Sequence, residues 1–163
     1  MTARNGVDES DWRRNNSLEE AGGKMTLYEQ DFYQWTQEQA ALLKAGTLAQ
    51  LDIENLIEEV ESMGRSEKRE LVSRLTVLLA HLLKWDYQPS RQGRSWELTI
   101  KEQRIKIKNH LRDNPSLKSA LKESMEDAYE LALVKVIRET GLPETTFPET
   151  CPYSIEQIMG EGV

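Results

Sequence analysis

Cysteine is almost missing from this chain: Cys151 is the only one in 163 residues. That excludes an internal disulfide and a cysteine-based zinc site, and it suits a reducing compartment. Histidine is nearly as scarce, with His81 and His110 alone. Neither completes a Glu-x-x-His pair, because Leu78 and Ile107 stand three residues before them. The di-iron chemistry of carboxylate bundles is therefore not expected. No segment shows the period-2 alternation of a strand. No stretch approaches the roughly 20 apolar residues of a membrane span. The opening residues, MTARNGVDESDWRRNN, lack the apolar core of a signal peptide. Walker loops, dinucleotide fingerprints, zincin motifs and Gly-x-Ser-x-Gly are all missing. Together these absences point to the cytoplasm, to no membrane, metal or cofactor, and to no recognisable reaction chemistry.

What is present favours helices. Charged residues make up 30% and hydrophobic ones 38%, a soluble globular balance. The net charge of −7 argues against a general nucleic-acid coat. The charge is uneven, however. Residues 27–63 hold eight acids and one base, whereas residues 84–112 hold eight bases and three acids. The plain reading is solvated or mutually packed helix faces. The sharper one is a basic face for an anionic partner.

Residues 1–24 are polar and read as a disordered N-terminal extension, with the all-helical domain over 25–163. Thr26 with Glu29, or Asp31 with Gln34, can cap a first helix that Gly46 ends. Asp52 caps a second, with Ile53, Leu56, Ile57, Val60 and Met63 as its inward stripe and Glu54, Glu58 and Glu61 opposite. Gly64 fits a helix stop. Ser66 then starts a third helix over 66–86. Its leucines 71, 75, 78, 79, 82 and 83 mark it as the central one. A fourth helix starts at Ser95 and carries Trp96, Ile100, Ile107 and Leu111 on one side and Leu98 and Ile105 on the other. That second apolar side leaves room for a homodimer face. A fifth starts at Asn114–Pro115 and ends at Gly141, with Leu117, Leu121, Met125, Ala128, Leu131 and Ala132 inward. A proline-stiffened strap and a short helix capped by Ser154 and Gln157 follow. The expected fold is an all-α, single-domain bundle of about five main helices plus a short last one.

Several separated motifs occur in order: D-x-x-N-L-x-E-E-x-E-x-M-G-R-S from Asp52 to Ser66, LLxHLLKW from Leu78 to Trp85, and Gln88–Pro89. Ser95–Trp96, Thr99–Ile100, Asn114–Leu117 (NPSL), Glu139–Pro143 (ETGLP) and Phe147–Tyr153 (FPxxCPY) follow. On these residues the chain resembles the bacterial family known as domain of unknown function 29, abundant in cyanobacteria, over about residues 27–160. The resemblance implies a prokaryotic, all-helical protein. It carries over no functional residues.

Three residue groups could carry function. Glu58 and Glu61 with His81 could form an acid–base or metal site. Arg94, Trp96 and Arg104 could hold an anionic ligand bidentately, or Arg104 could pair internally with Glu58, Glu59 or Glu61. The basic 91–112 segment, with Arg91 and Lys108, could bind nucleic acid, although it lacks interleaved aromatics. Cys151 between prolines reads as a structural thiol. The leading expectation is an interaction or regulatory module with an unidentified protein partner. An enzyme or metal protein and an anion or nucleic-acid binder are its rivals.

Overall fold

The computed structural model describes residues 24–160, so the expected extension, Trp12 included, lies outside the described residues except for Lys24. The fold is all-α, with no strand among the described residues. Among the described residues six α-helices follow one another: α1 (Leu27–Gln30), α2 (Phe32–Ala45), α3 (Ile53–Tyr87), α4 (Arg94–Asp113), α5 (Leu121–Thr140) and α6 (Ile155–Met159). The chain divides into two compact units, the first ending at Glu59 and the second starting at Val60.

In the first unit, local capping chemistry sets the boundaries. Thr26 and Glu29 form a reciprocal capping box at α1. The Asp31 carboxylate accepts the Gln34 N–H at 2.9 Å and starts α2. Gly46, at φ +71°, closes α2 in the left-handed conformation. Asp52 then organises the start of α3. Its carboxylate accepts from the Trp35 indole at 2.9 Å and from the Asn55 amide at 2.8 Å. Its own N–H donates to Gln39 Oε1 at 2.8 Å. Trp35 and Gln39 are accordingly the buried residues of α2.

The main correction concerns α3. It runs unbroken for 35 residues, about 50 Å. There is no stop at Gly64, no Ser66 cap and no separate 66–86 helix. Among the described residues only Gly46 and Gly141 take a positive φ, so Gly64 sits in the helix like any residue. The reason is energetic. A mid-helix glycine costs about 1 kcal/mol relative to alanine. Strong helix formers surround it (Glu61, Met63, Arg65, Glu67, Lys68), and the Glu61–Arg65 pair bridges it at 3.7 Å.

In the second unit, the C-terminal half of α3 forms the core with α4 and α5. Leu71, Leu75, Leu78, Leu79 and Leu83 are fully enclosed. They pack with Ile100, Ile107 and Leu111 of α4 and with Met125, Ala128, Tyr129, Ala132 and Val136 of α5. Phe147 of the strap and Ile158 of α6 close this core. The central role expected of the leucine-rich segment is thus correct. Two boundaries and one side-chain direction differ from expectation. α4 starts after Gly93 with no side-chain cap, so Ser95 lies inside it. Asn114–Pro115 opens a 3-10 turn over Pro115–Ala120 before α5 begins. Leu131 of α5 points outward.

Candidate functional site

Three clusters in the second unit contain the chain's chemistry-bearing side chains. The first lies where α3, α4 and α5 meet. Lys84 is 7% exposed, yet its Nζ donates to Glu139 Oε2 at 2.6 Å. It also lies 5.2 Å from the centre of the Trp96 ring, a cation–π distance. Lys135 reaches the other Glu139 oxygen at 3.7 Å. Burial pushes the Glu139 carboxyl up, but the Lys84 hydrogen bond and the charges of Lys84, Lys135 and His81 outweigh it. Its pKa therefore lies below the ordinary value. His81 stands beside this group, half-buried. Its Nδ1 donates to the Val77 carbonyl at 2.8 Å, which fixes the tautomer. Burial, with help from the Lys84 and Lys135 charges, lowers its pKa. A buried lysine already held by a carboxylate and a ring is an interhelical tie, not a free acid or nucleophile.

The second cluster joins α3 to α4. His110 Nε2 donates to the Glu67 backbone carbonyl at 2.9 Å. Asn114 donates to Glu67 Oε2 at 3.4 Å. Glu67, Glu70 and His110 present ligand atoms within 4.8 Å of one another, a composition that could hold a cation. The donors are already engaged, however. The Glu67 carbonyl holds the imidazole Nε2, and the Arg74 guanidinium grips Glu70 and lowers its pKa. The group works as a clasp between helices.

The third is an open groove of about 700 Å³ between α3 and α5. Val72 and Leu131 contribute to its apolar floor, and Arg65, Lys68, Arg69 and Lys135 stand around it against the single acid Asp127. Leu131 is 55% exposed. Lys68 also pairs with Glu123 at 3.0 Å, and Arg69 has no acid partner among the described residues.

The residues singled out in sequence distribute differently. Glu61 pairs with Arg65, one turn on. His81 lies 20 residues further along the same helix, about 30 Å away by helical rise. A shared metal or acid–base site for Glu61 and His81 is therefore excluded, and Glu58 is an exposed residue of the first unit. Arg104 does not pair with Glu58, Glu59 or Glu61. Its Nε and Nη2 donate to the carbonyls of Ile158 and Gln157, at 2.8 and 2.9 Å. It ties the end of α6 to α4 in the manner of a C-terminal cap. Arg94 is exposed. Only His81 and Trp96 come together, through Lys84. The sequence reading missed Lys84, Glu139 and the groove. Lys84 was hidden because a lone lysine in a leucine run reads as a helix end.

The strap is equally structural. Tyr129 donates to the Pro148 carbonyl at 2.6 Å and Tyr153 to Asp86 at 2.7 Å. Burial pushes the Cys151 thiol up, away from the thiolate a nucleophile needs. No helix among the described residues is long and apolar enough to cross a membrane.

Comparison with known proteins agrees with the resemblance drawn from the motifs. The family described as Domain of unknown function DUF29 matches residues 27–162. No curated protein and no solved structure matches the chain. With that match extending from the first residue of α1 past the end of α6, the chain belongs to the Domain of unknown function DUF29 family.

Proposed function

We propose that the chain is a protein-interaction module of the bacterial cytoplasm, offering the α3–α5 groove to an acidic amphipathic helix. The observation that supports this is the groove itself. It is open and apolar at its base, and of the cations along its edge Arg65, Lys68 and Lys135 pair with acids of the chain itself while Arg69 has no acid partner among the described residues. A helix laid in such a groove buries residues at i, i+3, i+4 and i+7 and sets its flanking charges against the rim. The single, half-buried thiol suits the reducing interior. An enzymatic reading has less to stand on, because the acids and the imidazole with catalytic potential are separated or already engaged. A nucleic-acid reading loses Arg104 to backbone carbonyls and Lys106 to Glu102.

The test is a titration with a designed helical peptide carrying apolar residues at i, i+4 and i+7 and glutamates beside them. Micromolar binding is expected, with a loss of at least tenfold in Leu131→Lys, about 1.4 kcal/mol. A sign-reversed, lysine-flanked peptide should not bind. Equal binding of both peptides, or of neither, contradicts the reading.

A further inference from the structure

The groove ends against the Lys84 cluster. Lys68–Glu123 at 3.0 Å and Lys84–Glu139 at 2.6 Å tie α3 to α5 at the same offset of 55 positions, so the two helices run parallel and in step. The groove lies between these ties, and Val77 and Lys135 line its far end. One turn beyond them stand His81 on α3 and Glu139 on α5. The junction is direct on both helices. His81 Nδ1 donates to the Val77 carbonyl, and Lys135 Nζ lies 3.7 Å from Glu139 Oε1. Glu139 therefore serves two cations, and unequally. Its bond to Lys84 is short and starts from a buried ammonium. Lys135 is a partly exposed i, i+4 neighbour, a weak kind of pair. With Nδ1 engaged, a proton entering the imidazole goes to Nε2. The charges that act on the ring are Lys84 from its own helix and Lys135 and Glu139 from α5. From α4 the cluster meets the uncharged Trp96 ring.

We propose that His81 makes the groove pH-responsive: a proton on its imidazole competes for Glu139, releases Lys135 toward the groove and tightens the hold on an acidic helix. This rests on reading the groove as a helix-docking surface and adds its regulation. Lys135 is the contact that yields, because it is the weaker of the two that Glu139 makes. At neutral pH Lys135 is held by Glu139 and adds little to the groove. In acid the cluster holds three cations against one carboxylate, and the surplus charge lies at the end of the groove. The coupling is mutual: an acidic helix in the groove favours the protonated imidazole as much as the proton favours the helix.

The acidic peptide, titrated against the full chain at pH 7.5 and 5.5 at fixed ionic strength, tests this, with circular dichroism checking the fold at both. The wild type should bind roughly fivefold more tightly at pH 5.5. His81→Gln, neutral throughout, should bind equally at both, which also controls for the peptide's own glutamates. Lys135→Gln should lose most of the pH dependence although its imidazole still titrates. Imidazole NMR reads the reciprocal effect: the peptide should raise the titration point of His81 and leave that of His110 unmoved. A wild type that binds equally at both pH values, a pH dependence that survives either substitution, or an unmoved His81 signal overturns the proposal and leaves the docking reading standing. If the peptide binds at neither pH, the docking reading falls, and this proposal with it.

Discussion

Lys84 shows how a single residue can join elements that sequence keeps apart. Its ammonium is buried among leucines and held by Glu139 and the Trp96 ring. Breaking a fully buried ion pair costs about 3–5 kcal/mol, because the surviving charge is left without a partner. Here Glu139 keeps 38% of its side chain in water, so Lys84→Ala should cost about 1–3 kcal/mol in urea unfolding. A loss below about 0.5 kcal/mol, the range of ordinary surface changes, would show that the tie is not formed. Its neighbour His81 gives a pH dependence. The unfolded imidazole titrates near 6.5, whereas burial holds the folded one lower. As pH falls below 6.5, the unfolded chain binds a proton that the native state resists. The stability present above that pH is therefore lost as pH drops toward the folded pKa. Lys84 and Lys135 add to the resistance and Glu139 opposes it. The signal should be read above about pH 5, before the depressed Glu139 carboxyl adds its own acid-side loss. His81→Gln should flatten the slope between pH 7 and 5. An unchanged slope would place the effect elsewhere.

At the scale of elements, α3 is one continuous helix whose two halves are buried very differently. Its C-terminal half supplies the leucines of the core. Leu79→Ala should cost about 2–5 kcal/mol, since the site is fully enclosed. A loss near zero in a denaturant titration would contradict that placement. Its first three turns leave Ile53, Ile57, Val60 and Met63 exposed. Gly64 lies between the halves, and there sequence and structure part. A glycine followed by Arg-Ser-Glu fits a stop-and-restart as well as it fits a continuous helix, because local chemistry permits both. The outcome rests on the summed propensity of the flanking residues. A Cβ at Gly64 would meet nothing within 4 Å. Gly64→Ala should therefore stabilise the protein by about 1 kcal/mol. A left-handed glycine at a helix end would give destabilisation of similar size. The sign of the shift in melting temperature separates the two.

For the whole molecule, what was legible follows from the range of each interaction. Thr26, Asp31, Gly46, Asp52, Gly141 and Ser154 mark helix ends through bonds within a few residues, and the sequence shows them directly. The leucines from 71 to 83 declare a core because their excess covers nearly every side of the helix. The clusters at Lys84 and His110 depend on residues 40 to 55 positions away, and no periodicity encodes such a meeting. The inward direction expected for Ile53, Ile57, Val60 and Met63 failed for a related reason. Amphipathicity says that a face is apolar and does not say what covers it. What the structure adds is that α3 is continuous and that its leucines from 71 to 83 are the centre of the second unit's core. Native-state amide hydrogen exchange tests it most directly. In an unbroken α3 the N–H groups of Arg65, Ser66, Glu67 and Lys68 bond within the helix and should be protected, with the greatest protection from Leu71 to Leu83. A helix restarting at Ser66 would leave its first amides without intrahelical acceptors. Fast exchange confined to residues 65–68 would contradict the continuous helix.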